Sequence, residues 1–367
     1  MTEAVRAVDP RDPSSLLDRM QAELTAICAD APQVWQTCAA VAVPAGPAPA
    51  AVVLTGCGDS LYACFAVREL VEELTGIPTV VWPAMEVATA PSRLLSADAL
   101  LVGVSVSGKV GRTIEAVEAH ARRGGPTVAV TSAATSRLAA VADNAIVHGV
   151  LGTPGPVPAT STYVASLLGL MSVAAGLAGE PDRAATGARV LRALALLPGL
   201  RAEAEDFARK VAPHLREPFF AAGTGVDAGT VHYATAKLLE AAGLVGVPQD
   251  LEEWAHEQYF ATDPSRTLLL CVTDERALAR GHEVAAMAAG VGGRVAWVGL
   301  AGPASPTSAT LGLPATDAAM SPLVAWLPFA LTALEFARQF SRYPFGTDRA
   351  DRMSIADSAI YVPAATS

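Results

Sequence analysis

The sequence is short of lysine and of charged residues in general. Charged residues make up 17% of the chain, and the formal net charge is −10. Three of the 26 basic residues are lysines, Lys109, Lys210 and Lys237, so each lysine kept despite this bias is a candidate for a specific role. The absence of any lysine or arginine run excludes the basic face of a typical nucleic-acid binder. Because the net charge of the protein is negative, its overall electrostatic field does not attract an anionic substrate, and local groups would have to bind it.

Cysteine is also scarce, and its spacing excludes the common cysteine-based sites. The five cysteines form no Cys-x-x-Cys pair and no His/Cys metal spacing, so we expect reduced thiols, no metal and a cytoplasmic location. Glu3, Asp9 and Asp12 precede any apolar run, which is unlike a secretion signal. No uncharged apolar stretch of about 18 residues predicts a membrane span. We expect neither a cofactor nor a membrane partner.

Apolar residues are abundant, and they follow an α/β rhythm. Hydrophobic residues make up 51% of the 367 residues, enough for two cores, at about 150 residues per domain. Short apolar segments that end in glycine or serine turns alternate with helical segments, and the pattern starts again near residue 216. This pattern predicts α/β domains in which helices cover both faces of a parallel sheet, a three-layer sandwich.

The repeat divides the chain into five predicted parts. The predicted strands are 51–55, 78–82, 99–105, 127–131, 144–148, 219–222, 267–272 and 294–298. The predicted parts are a helical segment 1–47, a first α/β domain 48–180, a helical linker 181–215, a second α/β domain 216–345 and a tail 346–367. Both halves start with a strand, a glycine turn and a helix, so we interpret them as a duplicated domain.

Two loops at strand ends are candidates for a ligand site. In parallel α/β sheets, ligands bind beyond the carboxyl ends of the strands. Residues 56–60 read Gly-Cys-Gly-Asp-Ser, and residues 105–113 read Ser-Val-Ser-Gly-Lys-Val-Gly-Arg-Thr. Hydroxyls and free backbone N–H groups at a helix N-terminus suit a phosphate, although glycine and serine are also common turn and cap residues. The candidate ligand groups are Gly58, Ser60, Ser105, Ser107, Gly108, Lys109 and Thr113.

Two further clusters contain titratable residues. Tyr233, Lys237 and Glu240 have the i, i+4, i+7 spacing of one helix face, which suits a catalytic site but also a solvated Lys–Glu pair. His256 precedes Glu257 without a second histidine four residues on, so this is no zinc motif. A lone histidine of this kind is as often structural as functional.

The two loops and the two titratable clusters, in this order along the chain, resemble those of the double sugar-isomerase (SIS) proteins, including the isomerase half of glucosamine-6-phosphate synthase. The resemblance covers about residues 15–367 and does not include the glutaminase domain, so glutamine hydrolysis is not expected. The sequence Cys-Gly-Asp-Ser at 57–60 is similar to the family's phosphate loop Cys-Gly-Thr-Ser. Residues 105–110 match three of six positions in the family's Ser-Gln-Ser-Gly-Glu-Thr. Val106 and Val110 replace a glutamine and a threonine that bind phosphate there.

The resemblance also implies roles for the helix residues. Residues 233–240 are similar to the family's catalytic helix, which makes Glu240 the acid/base that moves a proton between C-1 and C-2, with Lys237 as the neighbouring site lysine. The match at 253–258 makes His256 the ring-opening residue, reaching the site of the partner subunit in a homodimer. Asp357 stands where the synthase has its Schiff-base lysine, so covalent imine catalysis is not expected.

The implied function is chemistry on a phosphosugar. The leading interpretation is an enzyme that isomerises, deaminates or deglycates a phosphorylated amino sugar or ketosamine. One alternative is a non-catalytic sensor of sugar phosphates. A second is a specialised biosynthetic enzyme on an unphosphorylated or differently phosphorylated carbohydrate, because Val106, Lys109 and Val110 depart from the family's phosphate loop.

Overall fold

The computed structural model describes residues 12–39, 48–90, 95–149, 157–304, 309–314 and 316–348. Within these ranges the chain forms two parallel five-stranded sheets flanked by helices, which confirms the predicted fold class. One sheet is built from residues 52–147 and the other from residues 219–312. The two sheets therefore lie inside the two predicted α/β ranges.

The first half begins with a long helix and ends with a buried one. Its elements are α1 (Pro13–Ala39), β1 (Val52–Gly56), α2 (Asp59–Thr75), β2 (Thr79–Pro83), α3 (Ala84–Thr89), β3 (Leu100–Val104), α4 (Gly111–Ala121), β4 (Thr127–Thr131), α5 (Arg137–Val141), β5 (Asn144–Val147) and α6 (Ser161–Ala178). Every residue of β1, β3 and β4 is buried, as expected of valine- and leucine-rich strands covered on both faces. Within the predicted helical segment 1–47, residues Pro13–Ala39 form one continuous helix, α1.

The second half follows two linking helices. Its elements are α7 (Asp182–Leu194), α8 (Leu197–Val211), β6 (Phe219–Ala222), α9 (Asp227–Ala242), β7 (Gly246–Gln249), α10 (Leu251–His256), β8 (Thr267–Val272), α11 (Glu275–Gly290), β9 (Arg294–Gly299), β10 (Ala309–Gly312) and α12 (Pro322–Gln339). Short 3-10 turns occupy 212–214, 258–261, 318–320 and 344–346.

Both sheets have the same strand order. The first runs β2-β1-β3-β4-β5, and the second, read from its other edge, runs β7-β6-β8-β9-β10. In each half the order reverses between the first and third strands, which is the switch point where open α/β sheets bind ligands. The loops after β1 and β3 are therefore neighbours, and so are the loops after β6 and β8.

The two halves share one hydrophobic core. Helices α2 and α6 of the first half pack against each other, α2 also packs on α9, and α9 packs on α12. Buried residues of both sheets and of these helices belong to one continuous cluster. Among the described residues, α6 is long and apolar enough to cross a membrane, with a mean hydropathy of 1.5, but 78% of it is buried inside the protein. It is packed as a core helix.

The sequence did not predict the two edge strands of the second sheet, β7 and β10. Strand β7 contains Pro248, and proline is tolerated in a sheet only at an edge or a bulge, so this four-residue segment resembles a loop in sequence. Strand β10 is equally short and follows residues 305–308, which the structure does not describe. Both strands lie at the edges of the second sheet, where few side chains need to be apolar.

Candidate functional site

The loop after β1 turns sharply to place two polar side chains at the start of α2. Gly58 has φ +56°, a left-handed conformation that glycine adopts without strain. A Cβ on Gly56 would lie 3.0 Å from the carbonyl oxygen of Val104, so β1 and β3 approach closely here. The turn puts Asp59 and the buried Ser60 in the first turn of α2, where backbone N–H groups are free to bind a ligand.

The loop after β3 offers unpartnered polar groups. The hydroxyl of Ser105 is buried and has no hydrogen-bond partner. Ser107 and Lys109 are exposed, and the Lys109 backbone N–H donates to Ser107 Oγ at 3.3 Å. Within the described part of the chain, the Lys109 ammonium makes no hydrogen bond or ion pair. Arg112, by contrast, pairs with Glu115 at 2.5 Å. This loop therefore has one free cation and one free hydroxyl.

The two loops meet at the switch point. Cys57 Sγ lies 3.8 Å from Oγ1 of Thr113, which is fully buried at the start of α4. Gly108 has φ +60°, and a Cβ there would lie 2.4 Å from the Ser136 Cβ, so only glycine fits. All seven candidate ligand groups lie in these two adjoining loops: Gly58, Ser60, Ser105, Ser107, Gly108, Lys109 and Thr113.

Lys237 is the centre of a buried polar cluster between the halves. Its side chain, on α9, is 1% exposed. The ammonium donates to Asp59 Oδ2 at 2.8 Å, to Glu240 Oε2 and to the Ala159 carbonyl oxygen at 3.4 Å. It also lies 5.5 Å from the centre of the Tyr233 ring. The predicted Lys237–Glu240 pair is present, and it is buried rather than solvated.

The charges of this cluster shift one another's pKa values. Burial lowers the pKa of Lys237, but Asp59 and Glu240 together raise it by more, so the side chain remains an ammonium ion. Burial raises the pKa of Glu240 to about 6, and Lys237 opposes that rise. The Glu240 side chain is still 30% exposed, so it can reach a ligand. A carboxylate with a pKa near 6 suits general acid/base catalysis near neutral pH.

Glu240 faces an open cleft. The cleft has a volume of about 660 Å³ and lies between the end of α9 and the chain that follows α12. Its lining residues are Leu239, Glu240, Ala242, Gly243, Phe340, Ser341, Arg342, Tyr343, Phe345, Gly346 and Asp348. Asp357, which the sequence places opposite the family's Schiff-base lysine, lies outside the described residues. The cleft is large enough for a hexose phosphate.

Asp59 is the site residue that the sequence analysis did not single out. Its side chain is 14% exposed, and Oδ1 is buried without a hydrogen-bond partner. The only indication in the sequence is that Asp59 replaces the threonine of the motif Cys-Gly-Thr-Ser. Periodicity could not reveal the contact, because Asp59 and Lys237 are far apart in the chain and meet only when α2 packs on α9.

His256 lies apart from this cluster within one chain. It ends α10, its side chain is 69% exposed, and its Nε2 lies 3.1 Å from Glu252 Oε1. No hydrogen bond or ion pair in the described part of the chain joins it to Lys237 or Glu240. The structure of one chain thus brings two of the three predicted catalytic residues together and leaves the third on the surface.

The second half has a buried carboxyl group at its own switch point, in the turn after β6. A Cβ on Gly223 would meet the Cβ of Asp227 and the Cys271 carbonyl oxygen, just as one on Gly56 would meet Ser60 and Val104. Asp227 thus corresponds to Ser60. Its carboxylate is fully buried and accepts bonds from Thr273 N at 2.8 Å and Thr273 Oγ1 at 2.6 Å. A buried carboxyl group therefore lies at the second switch point, where the first has the hydroxyl of Ser60.

The part of the chain that the structure describes contains no group of three or more metal-ligating side chains. All five cysteines are free thiols. The two loops contain hydroxyl, ammonium and backbone N–H groups that suit an anion, and Glu240 is a carboxyl group suited to proton exchange.

Residues 49–175 match the family model of the SIS domain. A 127-residue segment, 35% of this chain, is 35% identical to a glutamine–fructose-6-phosphate aminotransferase of Gloeobacter violaceus and spans 20% of that protein. A 166-residue segment, 45% of this chain, is 29% identical to the aminotransferase of Halobacterium salinarum and spans 27% of it. The matches therefore cover about a fifth to a quarter of these relatives' length.

Solved structures share the fold over most of the chain. The C-terminal domain of glucosamine–fructose-6-phosphate aminotransferase from Francisella tularensis superposes with a TM-score of 0.73 at 15% identity, covering 93% of this chain and 99% of that one. Glucosamine-6-phosphate deaminase from Thermotoga maritima superposes with a TM-score of 0.71 at 15% identity, covering 89% and 97%. Residues 49–175 are therefore similar to SIS domains, and the chain is similar to the isomerase part of the glutamine–fructose-6-phosphate aminotransferases.

Proposed function

We propose that this protein is an enzyme of phosphosugar metabolism that isomerises, deaminates or deglycates an amino-sugar or ketosamine phosphate. The observation that supports this most strongly is Glu240. It is a carboxylate with a pKa raised to about 6, bonded to a buried lysine and facing an open cleft. The SIS domain at 49–175 and the names of the relatives favour the same chemistry.

We further propose that the chain is a double-SIS protein. The two sheets have the same strand order, Gly56 and Gly223 have equivalent close contacts, and Gly58 and Gly225 have similar positive φ angles of 56° and 60°. The proposed domains are 48–180 and 216–345, joined by the linker 181–215 and flanked by 1–47 and 346–367. In this arrangement the first half binds the ligand, while α9 of the second half supplies the acid/base.

The reaction then follows from the arrangement of charges. The two loops of the first half hold the phosphate through Ser105, Lys109 and the N-terminus of α2, which orients the sugar. Glu240, deprotonated above a pH of about 6, takes the proton from one carbon of the C-1/C-2 pair and returns it to the other. Lys237 stays charged and fixes the carboxylate. Proton transfer converts the amino sugar or ketosamine to an imine, and hydrolysis of that imine by water, which forms the carbonyl and releases the amine, would give the deaminase or deglycase outcome.

His256 gives this proposal a quaternary element. Because it is on the surface, we propose that it serves the site of a second copy in a homodimer, where it would open the sugar ring. The test is to mix the inactive variants Glu240→Gln and His256→Ala and let subunits exchange. If each site uses both subunits, the exchanged mixture regains up to about a quarter of the wild-type activity, since mixed dimers make up half of the population and one of their two sites is intact. Failure to regain activity in dimers shown to have exchanged would contradict the shared site.

A cytoplasmic location is part of the proposal, because five free thiols suit a reducing compartment.

The experiment that tests the function is NMR in D₂O. Glucosamine 6-phosphate, fructose 6-phosphate and a fructosamine 6-phosphate are each incubated with the protein, and deuterium entry at C-1/C-2 and amine release are followed. We expect exchange with at least one of them and none with Glu240→Gln. Binding of one of these ligands without any exchange would instead favour the sugar-phosphate sensor. If the protein neither binds any of these compounds nor catalyses exchange in them, a phosphosugar ligand of this class is contradicted.

A further inference from the structure

Asp59 connects the ligand loop of the first half to the catalytic helix of the second. It is the first residue of α2, and its Oδ2 accepts from Lys237 Nζ at 2.8 Å. Lys237 donates on its other side to Glu240. One buried ammonium is thus shared by two carboxylates. Both carboxylates bond the same nitrogen, so they lie within about 6 Å of each other, a distance at which like charges interact strongly.

The cluster has more carboxyl groups than cations. Glu23 on α1 is buried as well, and its Oε1 accepts from the Ser161 backbone N–H at 2.7 Å. Burial raises the pKa of Glu23, while the hydrogen bonds from Ser161 and, less strongly, the charge of Lys237 lower it. Two carboxyl groups therefore bond the Lys237 ammonium directly, and a third lies within reach of its charge. A threonine in place of Asp59, as in the motif that this loop resembles, would leave Lys237 to pair mainly with Glu240.

We propose that Asp59 is a positioning residue for Glu240. Because Asp59 accepts a hydrogen bond from the same Lys237 ammonium, Glu240 is held in place but remains a stronger base than it would be as the sole carboxylate paired with that lysine. This inference rests on the proposed role of Glu240 as the base. A carboxylate fully paired with an ammonium holds its proton weakly and abstracts protons poorly. Competition from Asp59 weakens that pairing, and the Asp59 charge raises the pKa of Glu240 directly.

Other groups face Glu240 or its partner Lys237, and they stay constant in the test. They are Lys237 and Tyr233 on α9, Tyr62 on α2, Glu23 on α1, and Arg342, Tyr343 and Asp348 in the chain after α12. Arg342 and Asp348 line the open cleft, where water screens their charges. Asp59 is the one acidic group in this set that bonds the same nitrogen as Glu240.

The test is the pKa of the residue 240 carboxyl, measured by NMR in protein labelled with δ-¹³C glutamate. The resonance is assigned by its absence in Glu240→Gln. The variants are Asp59→Asn and Asp59→Thr, which remove the charge, and Asp59→Glu, which keeps it. Asp30→Asn is the matched control, because Asp30 is exposed on α1, away from the cluster. Circular dichroism and thermal melting establish that each variant is folded.

We expect the pKa of Glu240 to fall by about 1 unit in Asp59→Asn and Asp59→Thr, and to stay near its wild-type value in Asp59→Glu and Asp30→Asn. The acid limb of the pH–rate profile should move to lower pH by the same amount. An unchanged pKa in folded Asp59→Asn and Asp59→Thr would overturn the inference, as would an acid limb that does not follow the pKa. If the wild type has no turnover, the proposed function fails, yet the NMR titration still decides whether Asp59 tunes Glu240.

Discussion

Lys237→Met removes the one charge that holds the polar cluster together. Methionine has a similar length and volume, so the change deletes the ammonium without leaving a large cavity. Lys237 is 1% exposed and bonds Asp59 and Glu240, which would both be left as partly buried carboxylates without a cation. Breaking a buried ion pair by removing one partner costs about 3–5 kcal/mol. We expect a loss of stability of that size at pH 7.

The chain offers a matched control in Lys210→Met. Lys210 lies on α8, is 59% exposed and pairs with Asp206 at 2.6 Å on the surface. Surface pairs contribute little, so we expect this variant to unfold at nearly the wild-type denaturant midpoint. Guanidinium unfolding followed by circular dichroism measures both variants. A Lys237→Met midpoint as high as that of Lys210→Met would refute the reasoning.

The pH dependence of Lys237→Met provides a second check. Without the ammonium, burial raises the pKa of Glu240 further above its unfolded value of about 4.3. A carboxyl whose folded pKa is raised favours the folded state when it is protonated, so its destabilising effect is lost as pH falls through that pKa. The cost of Lys237→Met should therefore be smaller at pH 5 than at pH 7. A cost that grows on acidification would contradict the ion-pair account.

Three further predictions concern the loops and the proton-transfer group. Gly108→Ala should destabilise the protein by about 2–4 kcal/mol, because the new Cβ would lie 2.4 Å from the Ser136 Cβ in a left-handed backbone. Gly58→Ala is the comparison, since Gly58 has φ +56° but a Cβ there would meet no atom within 4 Å. It should cost only about 1–2 kcal/mol in the same unfolding assay. Lys109→Ala should weaken the binding of a 6-phosphate ligand, measured by calorimetry, about tenfold, while Lys210→Ala should leave it unchanged. Equal affinities of Lys109→Ala and the wild type would exclude Lys109 from the phosphate site. Turnover should fall as pH drops through about 6, since Glu240 must be deprotonated to act as a base; a profile flat from pH 5 to 8 would exclude that role.

The sequence predicts the fully buried strands and both edge strands of the first sheet, and it misses the two edge strands of the second sheet. Strands β1, β3, β4 and β8 are continuous runs of apolar residues, because both of their faces are covered. Strands β7 and β10 are short, partly exposed and, in β7, interrupted by Pro248. A pattern of hydrophobicity contains little information about such edge strands, since only hydrogen bonding to a neighbour defines them.

The candidate site was predictable where one segment supplies several residues. Lys237 and Glu240 share a turn of α9, and their contact follows from helix geometry. Asp59 and Lys237 meet only because α2 and α9 pack across the two halves, so no local pattern contains that contact. The same packing accounts for the buried state of Lys237, which from sequence could equally have been a solvated surface lysine.

The most direct test of the account is a crystal structure of Glu240→Gln with the sugar phosphate that exchanges fastest in the wild type. The account predicts the phosphate at the loops 56–60 and 105–113 of the first half, with C-1 and C-2 within about 3.5 Å of the residue 240 side chain. A sugar phosphate bound at the second half's switch point, or one whose C-1 and C-2 lie far from residue 240, would contradict it.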